Sequence, residues 1–252
     1  MADLFQSTED LSEKALEVHR RLCPVYGCPI PYFQALGPLD ELVSSFLNHR
    51  TRNRDAKRAY NALREALPTW EAVRDAPTER VEALIHGVRW PEMKAPRLQA
   101  VLRAITEDRG ALDLAFLAAM PVPEARAWLE RLPGVGPKTS AATLSFSTLR
   151  RAALPVDSHH HRVAQRLGLI PPKMGTGPAH AVLEGYLPDD WDAQGVYDHH
   201  QVVMRHGQDV CHHRAPACGD CMLLDLCPEG LAREARRRSA ARDSGTRPAH
   251  RL

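Results

Sequence analysis

The sequence lacks the features of membrane and secreted proteins. It contains no run of about 18 apolar residues, and residues 1–6 have neither the charged nor the apolar region of a signal peptide. We therefore expect a soluble, cytoplasmic protein with no membrane partner. The net charge of +2 is only weakly basic, so any nucleic-acid-binding surface must come from local clusters of basic residues.

Strand signals are also almost absent. Runs of β-branched residues with a period of two do not occur, and Ala, Leu, Arg and Glu dominate the chain. The fold class that we predict is all-α. Helical spacing of apolar residues predicts a helix over residues 8–26, and residues 39–47 predict a largely buried helix that ends at a polar and basic stretch, residues 48–54.

A glycine-containing turn between two predicted helices is the feature around which the chain is organised. A helix over residues 123–132 leads into it, and the stretch reads Leu132, Pro133, Gly134, Val135, Gly136, Pro137, Lys138, Thr139. The two glycines permit positive φ and a tight hairpin, and Pro137 suits the first position of a new helix. Backbone N–H groups at such a helix start can bind a phosphate. An ordinary glycine turn between two helices is the alternative.

The cysteines are unevenly distributed. Four of the six, Cys211, Cys218, Cys221 and Cys227, have the spacing C-x6-C-x2-C-x5-C. Four thiolates in one loop suit a cube of iron and sulfide, whereas structural zinc usually takes two C-x2-C pairs set farther apart. Zinc remains the alternative. We interpret Cys23 and Cys28, at the end of the first helix, as buried small hydrophobic residues.

These features together resemble the endonuclease III family of DNA base-excision glycosylases. The resemblance rests on the Leu132–Thr139 stretch, on Val156-Asp157-Ser158-His159 and on the four C-terminal cysteines, and it runs from about Leu39 to Cys227. It implies two helical domains with a DNA-binding cleft between them. One is a six-helix domain with a helix-hairpin-helix motif, residues 38–150, and the other is a discontinuous iron–sulfur domain, residues 1–37 and 151–230. The four cysteines would hold a [4Fe–4S] cluster.

The resemblance also implies the chemistry of Lys138 and Asp157. Lys138 would attack C1′ of the sugar, expel the damaged base and form a Schiff base, after which β-elimination removes the 3′ phosphate. A helix N-terminus disfavours the ammonium and so favours the nucleophilic amine. Asp157 would stabilise the positive sugar. The alternatives are a plain phosphate contact for Lys138 and a helix N-cap for Asp157, although an N-cap carboxylate keeps one oxygen free.

Further residues are candidates for DNA contacts. The hairpin offers backbone and side-chain groups of Leu132, Gly134, Val135, Gly136 and Thr139. Arg214 lies between the first two cluster cysteines, in a loop that meets phosphates in the relatives. The relatives place a glutamine and a leucine where this chain has His49 and the stretch Val88-Arg89-Trp90-Pro91. Here His49 would contact the estranged base, and Arg89 or Trp90 would wedge into the duplex. For Trp90 the alternative is packing beneath its loop.

The histidines and the basic C-terminal stretch are two further features of the sequence. Adjacent histidines, such as His199 and His200, point to different helix faces and do not chelate one metal easily, so we interpret the histidines as core or polar contacts. His200 is the one that we place near the cluster. Residues 231–252 are rich in arginine and poor in apolar residues, and we predict a disordered basic tail that either adds DNA affinity or is merely solvated.

The predicted function is that of a base-excision-repair DNA glycosylase with AP lyase activity on oxidised pyrimidines. Its partner would be double-stranded DNA carrying a damaged base or an abasic site, and we expect a monomer associated with the nucleoid. The alternative is a catalytically weak iron–sulfur protein that recognises damaged DNA. A monofunctional adenine glycosylase is disfavoured, because those relatives lack the lysine and carry a further C-terminal domain.

Overall fold

The computed structural model describes residues 7–245, and side chains through residue 240. Within residues 7–245 the chain forms α-helices and short 3-10 helices and no strand, which confirms the all-α prediction. None of the helices in this range is long and apolar enough to cross a lipid bilayer. Residues 7–245 divide into two compact units, one built from residues 31–155 and 192–197 and the other from residues 7–30, 156–191 and 198–245.

The first unit carries the hairpin. Its helices are α2 (Pro38–Leu47), α3 (Asn53–Ala66), α4 (Trp70–Asp75), α5 (Thr78–Leu84), α6 (Pro91–Arg109), a 3-10 helix (Ala115–Ala119), α7 (Val122–Glu130) and α8 (Pro137–Phe146). α2 packs against α8, α3 and α6. Its apolar residues Leu42, Val43, Phe46 and Leu47 are at most 4% exposed. Burying each such side chain contributes about 1.5–3 kcal/mol, so α2 is a central support of this unit.

The second unit carries the cysteines. Its helices are α1 (Thr8–Tyr26), α9 (Ser158–Leu167), α10 (Thr176–Glu184), the part of α11 (Ala193–Asp209) from Asp198 onward, two 3-10 helices (Cys218–Asp220 and Leu224–Leu226) and α12 (Pro228–Gly245). α1 matches the predicted helix, and a reciprocal capping box between Ser7 and Asp10 fixes its start.

Cys23 and Cys28 are joined in a disulfide, so their interpretation as buried hydrophobic residues is wrong. α1 ends at Gly27, whose φ of 78° turns the chain back. The turn brings the two Cα atoms within 5.1 Å, a distance that a disulfide spans without backbone movement. Both residues are partly exposed rather than buried.

The basic C-terminal stretch also differs from its prediction. α12 runs to Gly245, so the segment predicted as disordered from residue 231 is helical that far, and residues 246–252 lie outside the described range. Ion pairs along the helix and packing on its neighbours both support the helical conformation. Arg233 pairs with Glu229 at 2.7 Å and Arg237 with Glu234 at 2.9 Å, at spacings that face each other on a helix. α12 also packs against α9 and both nearby 3-10 helices.

Buried histidines form part of the core of the second unit. His160 and His199 are at most 3% exposed, their ring centroids are 5.5 Å apart, and Nδ1 of each has no hydrogen-bond partner among residues 7–240. No group of three or more His, Cys, Asp or Glu side chains in the described range is arranged to hold a single metal ion. Burial, with the charge of neighbouring imidazoles including His19 and His200, lowers the pKa of His199 to about 3.

This histidine pair predicts acid sensitivity. In the unfolded chain each of these histidines takes up a proton near pH 6.5, whereas in the folded protein both stay neutral. The two histidines therefore do not reduce the free energy of unfolding above about pH 6.5. Below that pH, each of them lowers the free energy of unfolding by about 1.4 kcal/mol per pH unit. We expect the melting temperature of a His199→Phe variant, which keeps a ring but cannot titrate, to fall less than that of the parent between about pH 7.5 and about pH 5.5. Equal falls in both proteins would contradict this account.

Candidate functional site

The turn between α7 and α8 is a tight hairpin. Gly134 has φ of 78°, and Val135 N donates to Leu132 O at 3.1 Å. Leu132 and Val135 are buried and anchor the turn in the unit core. Gly136 has an ordinary φ of −113° and caps α8, so only one of the two glycines needs the left-handed conformation. A Cβ at Gly136 would meet no atom within 4 Å, which leaves its backbone open to a ligand.

Lys138 and Thr139 lie in the first turn of α8, after Pro137 at its start. The sequence prediction of a helix beginning at Pro137 is confirmed. Lys138 is partly buried, while Thr139 is 1% exposed. The first turn contains no acidic residue, so the positive end of the helix dipole acts on Lys138 without a local carboxylate in that turn.

His49 lies directly against this helix start. It follows α2, and its Nε2 is joined to Thr139 Oγ1 by a hydrogen bond of 2.7 Å. Burial, together with the positive charges of Lys138 and Lys94, lowers the pKa of His49 to about 4. The imidazole is therefore neutral near pH 7, with one ring nitrogen occupied by Thr139. The structure thus brings two residues singled out from distant parts of the sequence, His49 and Thr139, into contact.

A buried carboxyl in α2 was missed by the sequence analysis. Glu41 is 2% exposed, and its oxygens accept hydrogen bonds from Ser45 Oγ at 2.9 Å and Gln34 Nε2 at 2.6 Å. Burial raises the pKa of Glu41, which the two hydrogen bonds and the charges of Lys138 and Arg150 oppose. A glutamate within residues 39–47, the helix predicted to be largely buried, is the sequence signal that could have drawn attention to it.

Trp90 stands at the entrance to α6 in a conformation unusual for its residue type. Its φ is 57°, in the left-handed region, and 41% of its surface is exposed. The guanidinium of Arg89 lies 4.3 Å and that of Arg50 5.9 Å from its ring centroid. A non-glycine residue in this region costs about 1–3 kcal/mol and persists only where its surroundings hold it. The result is an exposed indole flanked by two positive charges.

Asp157 belongs to the other unit and caps α9. Its Oδ1 accepts hydrogen bonds from His159 N at 2.9 Å and His160 N at 2.8 Å. Oδ2 accepts none from residues 7–240. The N-cap expected as an alternative role is thus confirmed as a structural fact, and it leaves one carboxylate oxygen free for another partner.

The four C-terminal cysteines are free thiols that line a single cavity. Val163, Leu167 and Leu223 form apolar parts of its wall. Burial raises the pKa of Cys221 and Cys227. A Cβ at Gly230 would lie 3.3 Å from Cys227 Sγ and 3.1 Å from Leu224, so the start of α12 approaches this one thiol closely. The thiols surround a space, as a cluster of several atoms requires, instead of meeting at one ion.

Arg166 holds the loop that follows Cys211, the first of the four cysteines, through several hydrogen bonds. Arg166 of α9 donates to Cys211 Sγ at 3.2 Å, His212 O at 2.7 Å and His213 O at 2.8 Å. Arg214, the next residue, is exposed. His206 lies 3.6 Å from Cys221 Sγ, whereas His200 stacks with His160. His206 therefore contacts one of the four cysteines, whereas His200 stacks on another histidine, and the placement of His200 near the cysteines stays a prediction.

A hairpin between two helices, followed by a capped helix and a cysteine-lined loop, defines a DNA base-excision repair protein of the helix-hairpin-helix class. The family model described as "HhH-GPD superfamily base excision DNA repair protein" matches residues 43–188. Endonuclease III of Thermotoga maritima is 30% identical over 191 residues, which cover 75% of this chain and 82% of the relative. Endonuclease III of a Synechocystis species is 28% identical over 238 residues, covering 92% and 100%. The chain belongs to the endonuclease III family.

Solved structures agree in fold. A trapped endonuclease III–DNA covalent intermediate superposes with a TM-score of 0.73 at 23% identity, covering 88% of this chain and 98% of the other. A thermostable thymine-DNA glycosylase gives a TM-score of 0.71 at 19% identity, covering 87% and 98%. At identities of 23% and 19%, these two structures show a shared fold and nothing more.

Proposed function

We propose that this protein is a bifunctional DNA glycosylase and AP lyase that removes oxidised pyrimidines from double-stranded DNA. The observation that carries the proposal is Lys138, held in the first turn of α8 directly after an open glycine hairpin. A backbone without side chains at that point admits a phosphate, and the helix start attracts it. In this proposal Lys138 supplies a nucleophilic amine next to a turn that binds a DNA phosphate.

We assign to Lys138 the role of the nucleophile that forms the covalent bond to the sugar. Its neutral amine attacks C1′, the bond to the base breaks, and the base leaves with the electron pair and then takes a proton. The nitrogen lone pair then breaks the C1′–O4′ bond and opens the sugar ring, and O4′ takes the proton that the amine released, which gives the Schiff base. Removal of a C2′ proton then expels the 3′ phosphate. Asp157 supplies negative charge to the sugar cation through its free Oδ2.

We assign a [4Fe–4S] cluster to Cys211, Cys218, Cys221 and Cys227. The supporting observations are the donor set of four thiols around one cavity and the close approach of Gly230. Such a cluster would cross-link the C-terminal loop, and with all four positions taken by cysteine it leaves none for substrate. Arg166 would donate a hydrogen bond to Cys211 Sγ, and exposed Arg214 would contact a DNA phosphate.

The alternative function is that of a catalytically weak protein that recognises damaged DNA. It rests on His49, which stands where the relatives have a glutamine and whose imidazole already forms a hydrogen bond with Thr139. Borohydride reduction of the parent protein on a single-lesion duplex separates the two functions. A bifunctional glycosylase forms a Schiff base that reduction converts into a stable covalent adduct, whereas a recognition protein binds the duplex and yields none. A panel of duplexes, each with one oxidised pyrimidine, gives the substrate range in the same assay.

Lesion reading by Trp90 and His49 gives a testable prediction. Stacking of a base on an aromatic ring contributes about 1–3 kcal/mol, so Trp90→Ala should weaken binding to a lesion-containing duplex by about tenfold. Binding to a single-stranded lesion should change much less. His49→Gln restores an amide and should raise activity on oxidised pyrimidines, since the parent is expected to be narrower or weaker than its relatives.

Met93→Ala is the matched control, because Met93 is also exposed, at 45%, and lies in the first turn of α6, three residues after Trp90. It removes apolar surface without removing a ring. Unchanged turnover and affinity in both Trp90→Ala and His49→Gln would exclude these positions from the recognition site.

A further inference from the structure

The side chain of Lys94 is buried without a carboxylate partner among residues 7–240. It is 6% exposed and forms no ion pair in that range. Its Nζ donates to Leu47 O at 2.7 Å, His49 O at 2.9 Å and Thr51 Oγ1 at 3.0 Å. Burying an ammonium without a counter-ion costs free energy, and the three hydrogen bonds to these acceptors offset that cost. Two of them are carbonyls at the end of α2, where the helix dipole is negative.

Thr51 extends this contact to a second segment. Its Oγ1 accepts from Lys94, accepts from Arg89 N at 3.1 Å and donates to His49 O at 3.2 Å. A hydroxyl has one donor and two acceptor sites, and here each is used. One hydroxyl and one ammonium therefore tie the turn at residues 48–51 to the turn at residues 88–90.

The two joined turns are the ones that hold His49 and Trp90. Arg50 and Trp90 have left-handed φ values of 51° and 57°, so both turns depend on outside contacts to keep their shape. Lys94 itself follows Trp90 in the first turn of α6, and its N–H donates to Trp90 O at 3.0 Å. The same residue thus contacts one turn through its backbone and the other through its side chain.

We propose that Lys94 and Thr51 are positioning residues that couple the His49 turn to the Trp90 turn, so that the two read a damaged site together. The proposal rests on the lesion-reading roles given above. Loss of the coupling would let each turn move independently, which weakens recognition of a gap in the duplex more than it weakens general DNA binding. Burial lowers the pKa of Lys94 to about 8, so near neutral pH the ammonium keeps the three N–H groups that it uses.

The test compares Thr51→Val, which removes the hydrogen bonds at nearly constant volume, with Thr51→Ser, which keeps the hydroxyl. The probe is a duplex with a tetrahydrofuran abasic analogue opposite 2-aminopurine, whose fluorescence reports how the unpaired base is stacked. We expect Thr51→Val to lose the protein-induced fluorescence change and about tenfold of the preference for this duplex over undamaged DNA. Thr51→Ser should behave as the parent, and Lys94→Met should behave as Thr51→Val.

Thr106→Val is the control for general destabilisation, since Thr106 Oγ1 makes two hydrogen bonds elsewhere on α6. An unchanged preference in Thr51→Val would overturn the proposal. So would an equal loss in Thr51→Ser or in Thr106→Val, because either would point to packing or stability instead of the hydroxyl. The duplex has no base to remove, so this outcome is independent of whether Lys138 performs the chemistry.

Discussion

Lys138→Gln is expected to abolish both the borohydride-trapped adduct and strand cleavage at abasic sites, by at least about a thousandfold, because no other group replaces a lost nucleophile. Binding to the same duplex should largely remain, since glutamine keeps a polar side chain of nearly the same length at the start of α8 and the hairpin backbone is unaltered. The measurement is single-turnover cleavage of an abasic duplex, with trapping on the same substrate and affinity by fluorescence anisotropy.

Two further variants serve as controls for the loss of activity expected in Lys138→Gln. Lys57→Gln removes an exposed lysine from the same unit and should retain parental activity. Asp157→Asn keeps a good N-cap but removes the negative charge, so it should slow base removal while preserving the fold and even tightening DNA binding. Persistent trapping by Lys138→Gln would mean that another amine is the nucleophile.

Cys218→Ser is expected to have the second large effect. The parent should be yellow-brown with about four iron atoms per chain, and the variant should lose most of its iron and its colour. Because the cluster would tie the loop at residues 211–227 to itself and to α12, we expect lower solubility and several kcal/mol less stability. Base removal by any folded fraction should be affected much less.

The double variant Cys23→Ser/Cys28→Ser is the matched control, since it removes two cysteines that form a disulfide and do not line the cavity. It should keep its iron and colour. A colourless parent that is folded, active and loaded with one zinc ion would overturn the cluster assignment and favour the alternative raised by the cysteine spacing.

Local signals in the sequence predicted much of the fold. The helices over residues 8–26 and 39–47 followed from apolar periodicity, and the hairpin and the cap at Asp157 followed from residue types with strong backbone preferences. Each of these signals lies within a few residues of the feature that it predicts.

Contacts between distant segments could not be predicted in this way. Lys94 meets Thr51 across 43 residues and His49 meets Thr139 across 90, and no periodicity encodes either distance. The Cys23–Cys28 disulfide depended on the left-handed turn at Gly27, and the α12 helix depended on packing that composition does not reveal. The buried carboxyl of Glu41 is similar, because its partners Gln34 and Ser45 are set by the fold around α2.

The most direct test of the central claim is to locate the covalent bond. The parent protein, reduced with borohydride on a duplex carrying one oxidised pyrimidine, would be digested and its DNA-linked peptide sequenced by mass spectrometry. We predict that the remnant of the sugar lies on Lys138. Its presence on another amine, or a duplex that is bound but never linked, would contradict the account.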